Sequence, residues 1–169
     1  MEFSRLYQEL ANGLLVIPAL LSGISQAEAV ENPDVDTWSI LEVMCHLYDE
    51  ECEDFRVRLD LILHNPTRDW PPIDPQGWVK VRQYNQRSLA EIQQRWLAER
   101  QRSLVWLDGM ADANWEAFVE APFGVIRAGD MLSAWAAHDN LHIRQLVELR
   151  RFHLTRMANP YDLRYAGDW

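Results

Sequence analysis

The sequence predicts an all-α protein, a four-helix bundle with a long Pro-rich connection between the second and third helices. Three observations lead there. Apolar residues recur at three-to-four-residue spacing through four segments, which is the period of a helix with one buried face. Ser-x-x-Glu pairs open two of those segments, at Ser39/Glu42 and Ser88/Glu91, where the reciprocal side-chain to amide bonds of a capping box satisfy free helix-start donors. No segment alternates apolar and polar residues convincingly enough to read as a strand. Four such helices bury their stripes against one another as a bundle.

The first helix is expected over residues 3–25, with Leu6, Leu10, Leu14, Ile17, Leu21 and Ile24 on one face. Pro18 lies inside it and lacks the amide that would bond back to residue 14, so a kink or a division is expected there. The second helix opens at Ser39 and runs to Asn65, where Pro66 stops it. Residues 66–77, PTRDWPPIDPQG, carry four prolines and a glycine and read as a loop with Trp70 and Ile73 to bury. Residues 78–87 favour no element. The third helix runs from Ser88 to Asp108–Gly109, with Leu89, Ile92, Trp96, Leu104 and Leu107 on its apolar face and Arg100 interrupting it. Residues 111–127 are a second connection, short enough for a simple hairpin of helices, whereas the first connection is long enough to cross the end of the bundle. The fourth helix covers about 129–156, and the tail 157–169 has no periodicity. All 169 residues are read as a single domain with its core over about 3–156, a length that suffices for a core without staples.

The formal net charge is −10, and most of it lies in residues 27–60, where eleven acids face two arginines. Such a chain repels phosphate backbones and anionic lipid surfaces, so nucleic-acid and membrane partners are not expected. Cys45 and Cys52 are seven residues apart, about 10 Å along a helix axis, too far for a disulfide. They read as reduced thiols and the protein as cytoplasmic. The apolar run LLVIPALL at 14–21 is too short for a membrane span and has no cationic flank or cleavage signature.

The stretch AAHDNLHIRQL places His138 and His142 four residues apart, on adjacent turns of one face. Two imidazoles at that spacing converge on one point off the helix, the geometry by which HExxH helices hold zinc. His46, on the border of the second helix's stripe, is the candidate third ligand. The plain alternative is that all three are ordinary core or rim histidines with hydrogen-bond partners. Asp49 and Glu50 follow His46 by three and four residues. Each is a candidate fourth ligand, base or partner to a ligand, or simply a solvated helix acid. Asp139 is turned about 100° from His138 and is expected at the surface or against a second subunit. Trp135 is expected to wall a cavity beside the histidines, and His64 and His153 to be surface or structural.

WSILEVMCHLYDEE, PPIDPQGW and AWAAHDNLHIRQL together resemble the DinB-like superfamily of four-helix-bundle metalloproteins, most closely its second DinB-type subgroup. Its second helix carries WSxxEvxxHLxD and its fourth HxxxHxxQ. The resemblance spans about residues 3–150. It implies one divalent metal, nickel or zinc, held by His46, His138 and His142. Some relatives are similar to metal-dependent thiol S-transferases, which implies a low-molecular-weight thiol and an electrophile as substrates. Metal-assisted hydrolysis and a non-enzymatic metal-binding or stress-response role are the alternatives, and homodimers are implied by the family. The sequence departs from the family in lacking its Thr cap before the last helix, where VIRAGDM stands instead and Asp130 is left to complement the helix start.

Overall fold

A computed structural model describes residues 2–121 and 124–167. In chain order the elements are α1 (Phe3–Leu21), the single-turn α2 (Gln26–Ala29), α3 (Ile40–Glu53), α4 (Phe55–His64), α5 (Pro75–Val81), α6 (Leu89–Asp108), β1 (Phe118–Ala121), β2 (Gly124–Arg127) and α7 (Ala128–Ala158). The bundle is built from α1, the pair α3–α4, α6 and α7. Around it, α1 packs against α6 and α7, and α3–α4 packs against the same two. Helices α6 and α7 are therefore diagonal, and the connection between them is not the simple hairpin of helices its length suggests. It crosses the end of the bundle, and so does the α1–α3 connection.

Two features replace expected loop. The α6–α7 crossover contains an antiparallel pair, with Phe118 opposite Arg127 and Val119 opposite Ile126. It turns Val119 into the core beside Phe55 and Met131. In the Pro-rich connection, Asp74 accepts the Gly77 amide at 2.9 Å and Pro75 starts α5, because an acid followed by proline combines an N-cap with a residue whose φ is already helical. The expected second helix is interrupted: Asp54, at φ −116°, ψ −90°, separates α3 from α4, and its carboxylate lies 2.5 Å from Arg58 Nε one turn on. Pro18 does not divide α1, which ends one turn later at Leu21.

Helix starts follow the sequence. Ser39 and Glu42 close a reciprocal capping box, with Glu42 Oε2 accepting the Ser39 amide at 2.8 Å. Ser88 Oγ accepts the Glu91 amide, and Asp130 accepts the Arg127 amide at 3.0 Å.

The core has two apolar halves. One joins Ile17, Leu21, Ile40, Val43, Leu47, Trp96, Leu146 and Leu149; the other joins Leu10, Leu59, Ile62, Leu104, Leu132 and Trp135. Between them lies a charged layer. Arg100, 1% exposed, reaches from α6 to the centre of the bundle. Its Nε and Nη2 donate to both oxygens of Glu51 on α3 at 2.9 and 2.8 Å. Nη2 also donates to Asp139 Oδ1 on α7 at 2.9 Å, Nη1 donates to Asp139 Oδ2, and Nη1 donates to the Leu10 carbonyl of α1 at 3.0 Å. Trp135 Nε1 donates to Glu51 at 3.1 Å. Asp139 is thus neither at the surface nor facing a subunit: the rotation that turns it away from His138 aims it at the bundle centre, where Arg100 supplies its counter-charge. The layer needs Gly13, because a β-carbon there would stand 2.9 Å from Asp139 Oδ2 and 3.0 Å from Arg100 Nη1.

Removing one member of a buried charge network leaves the rest uncompensated. Asp139→Ala is therefore expected to lower the unfolding free energy by about 3–5 kcal/mol, read from the urea midpoint. A wild-type midpoint would contradict the role given to this layer.

Candidate metal centre

Just beside the charged layer, α3 and α7 face each other. His46 comes from the middle of α3, His138 and His142 from successive turns of α7. The Nε2 atom of His138 lies 3.1 Å from that of His46 and 3.1 Å from that of His142. The three nitrogens form one cluster whose members all lie within 4.8 Å of one another. So the structure brings together all three histidines singled out from the sequence. Ligands of a tetrahedral ion at 2.0–2.1 Å stand about 3.3 Å apart, so this spacing fits one divalent ion with little movement.

The rings are held by packing. His46 and His142 are 5% and 6% exposed. Trp38 lies 4.9 Å from His46 and parallel to His142 within 7° at 6.5 Å, and Phe55 covers His138 at 4.9 Å. The Nδ1 of His142 lies 2.8 Å from Gln145 Oε1. An amide oxygen only accepts, so Nδ1 carries the proton and Nε2 presents its lone pair to the cluster.

Above the cluster opens a cleft of about 440 Å³ lined by Asp36, Thr37, Trp38, Pro75, Gln76, Leu141 and Gln145 with the three histidines. Its far wall comes from the start of α5 and the loop before α3, segments that sequence periodicity does not place. Trp135, expected here, instead stacks on Phe55 at 5.9 Å in the core, because its position turns it toward Glu51.

The two acids after His46 do not reach the cleft. Asp49 accepts the Tyr84 hydroxyl at 2.5 Å and pairs with Arg82 at 2.8 Å on the far side of α3. Glu50 is buried, with Oε1 3.8 Å from His46 Nδ1, on the side of the ring away from the cluster. Burial pushes its carboxyl up to about 8, and neighbouring Asp54 adds to this. Cys45 and Cys52 are both free, and burial raises them to about 12 and 11, so neither is a nucleophile at neutral pH. His64 is exposed beside Asp60, and His153 is buried near Glu31.

Burial lowers all three cluster histidines: His46 to about 3, with the charge of His142 adding; His138 to about 2, with the charges of His142 and His46 adding; and His142 downward, against the Gln145 hydrogen bond. Neutral imidazole is the form that binds a metal. Since these pKa values lie below the usual 6.5 or so, protons are taken up by the unfolded chain first. Metal-free protein is expected to lose the histidines' share of its stability as pH falls from about 6.5 toward 3. The ring resonances of His46 and His138 are expected to stay at neutral-imidazole positions from pH 8 to 5, and a titration midpoint near 6.5 in NMR for either would contradict their burial.

Comparison with known proteins agrees with this picture. No curated protein matches the chain. Among solved structures it superimposes on YfiT from Bacillus subtilis with a TM-score of 0.79 at 17% identity, over 89% of this chain and 86% of that one. That protein is described as a probable metal-dependent hydrolase with an unusual four-helix bundle topology. The likeness extends the fold across nearly the whole chain. Residues 16–146, which carry the ligand-bearing parts of α3 and α7 and everything between them, match the family model of the DinB superfamily, and the chain belongs to that superfamily.

Proposed function

We propose that this protein is a metal-dependent enzyme acting on small molecules, with His46, His138 and His142 holding one divalent ion and thiol S-transfer as its chemistry. The observation that carries the reading is the convergence of three neutral Nε2 atoms, from two buried rings and one half-buried ring, on the floor of an open cleft. Three neutral ligands leave an ion its full charge and at least one position open to the cleft, the arrangement of catalytic rather than structural sites. Bound there, the ion would supply Lewis acidity, lowering the pKa of a thiol or water that enters beside it. Imidazole suits both nickel and zinc, the metals the family resemblance implies.

The chain's own groups do the rest. Gln145 holds His142 in the tautomer that faces the cluster. Trp38 and Leu141 give a substrate apolar surface, while Thr37, Gln76 and Gln145 offer polar contacts. Neither cysteine lines the cleft, so the thiol has to be a separate small molecule.

Hydrolysis is the second reading, favoured by the description of YfiT. A base would assist it, and the two acids expected to provide one are turned elsewhere: Asp49 to Tyr84 and Arg82, Glu50 behind His46. Asp36, exposed at the cleft rim, is the acid that lines it among the described residues. Thiol transfer would lean on a base less, because a thiol is far more acidic than water before any ion lowers its pKa further.

Protein purified without chelator is expected to carry close to one nickel or zinc per chain, and the His138→Ala/His142→Ala variant none. The loaded protein is expected to accelerate loss of an alkylating electrophile only when a thiol is present. Turnover of esters or amides without thiol would move the assignment to hydrolysis. Bound metal without turnover of either class would leave a non-enzymatic metal-binding protein. The assembly is proposed to be a homodimer, for which sedimentation is expected to show about twice the 19.8 kDa chain mass.

A further inference from the structure

Two buried polar atoms face each other behind the cluster, and neither has a hydrogen-bond partner: His46 Nδ1 and Glu50 Oε1, 3.8 Å apart, on side chains 6% and 5% exposed. Buried polar atoms left without partners are uncommon and call for a cause. We propose that Glu50 is a positioning residue for His46: with the 3.8 Å gap drawn in to hydrogen-bond length, its Oε1 accepts a hydrogen bond from Nδ1–H and so holds the ring in the tautomer whose Nε2 lone pair faces His138 and His142. The inference deepens the metal-site reading above and rests on it for its purpose, although the tautomer itself is a property of the metal-free protein.

Three lines support the assignment. Ligation through Nε2 requires the proton on Nδ1, and a buried Nδ1–H needs an acceptor. On α7 the same requirement is met at His142 by Gln145, three residues on, at 2.8 Å. On α3 the residue one turn on from His46 is Glu50, and helix geometry puts positions four apart on one face. The rest of Glu50's surroundings explains why its carboxyl stays there. Asp54, bound to Arg58, lies one turn further along the chain at the break between α3 and α4. Asp49, the neighbouring acid, is committed to Tyr84 and Arg82. The Glu50 carboxyl hydrogen-bonds Asp54 at that break, which leaves its unpartnered Oε1 to the imidazole, and Glu50 does not line the cleft. Among the described residues, the polar group set against Oε1 is the His46 imidazole, so that atom faces the site.

The test is the ring nitrogen spectrum of metal-free protein together with nickel and zinc binding by calorimetry, for wild type, Glu50→Gln and Glu50→Leu. In the wild type, the 15N shifts of His46 are expected to show a protonated Nδ1 and a bare Nε2. Glu50→Gln keeps an oxygen acceptor and is expected to keep both that tautomer and the affinity within about threefold, the margin being small against the 10–100-fold that loss of such an outer partner typically costs. Glu50→Leu is expected to move the His46 proton to Nε2 and weaken metal binding by about 10–100-fold, while His142, held by Gln145, keeps its tautomer. An unchanged His46 tautomer in Glu50→Leu would overturn the proposal, as would a wild-type metal affinity in that variant. Should Glu50→Leu fail to fold, a wild-type His46 spectrum with the proton already on Nε2 would overturn it equally. If the wild type takes up no metal at all, the metal-site reading fails, yet the tautomer measurement still decides for or against Glu50.

Discussion

The structure depends on one buried cation. Arg100 touches all four walls of the bundle: it belongs to α6, binds Glu51 of α3 and Asp139 of α7 through their carboxylates, and takes the Leu10 carbonyl of α1. Such a network adds little net stability compared with apolar residues of the same volume, because desolvating three charges offsets most of their attraction. What it fixes is position. An apolar core tolerates sliding by a turn with modest loss, whereas a guanidinium whose donors are shared among two carboxylates and a carbonyl tolerates almost none. Glu51 lies five residues beyond His46, and Asp139 lies next to His138. The clamp on those two acids therefore sets the mutual height of α3 and α7, and with it the distance at which their imidazoles meet. Gly13 completes the device by letting α1 approach closely enough for its carbonyl to take part.

Much of this was legible in the sequence, and what escaped has a common cause. The helix faces, the caps at Ser39 and Ser88 and the three histidines depend on spacing within a helix or on residue type, and those survive in a linear string. The break at Asp54 and the antiparallel pair of Phe118–Ala121 with Gly124–Arg127 do not, since four-residue strands contain too little alternation to stand out from a loop. The Asp74–Pro75 pair did carry a signal for α5, hidden among neighbouring prolines. Side-chain direction was harder still. Asp49, Glu50, Glu51 and Asp139 look alike in the string, four acids near ligands; one serves a tyrosine, one backs a histidine and two share an arginine. Only the position of Arg100, a charged residue breaking an otherwise apolar stripe, hinted that a counter-charge had to be buried on a facing helix. The order of helices around the bundle was beyond reach, because connection length permits neighbours and diagonals alike.

The site combines two environments that serve different ends. Below the imidazoles lie buried acids and one arginine; above them lies a cleft whose polar groups are mostly uncharged. The lower half holds the ligands neutral and aligned. The upper half is supplied by the loop before α3 and by α5; Trp38 packs on the histidine rings and Trp78 on the core, but Asp36, Thr37 and Gln76 are exposed, so these wall residues can change without disturbing the histidines. This division lets one scaffold keep its three-histidine arrangement while the cleft above it varies.

The crossing connections also set when the site comes into being. His46 and His138 are 92 residues apart in the chain, on helices that become neighbours only after both end crossovers have closed. During synthesis the first of them leaves the ribosome long before the second exists. Until α7 is docked, a nascent or partly folded chain presents a lone imidazole or the His138–His142 pair, each a weak ligand set beside the complete trio. A site that needs all three imidazoles would therefore exist only once the whole bundle has closed.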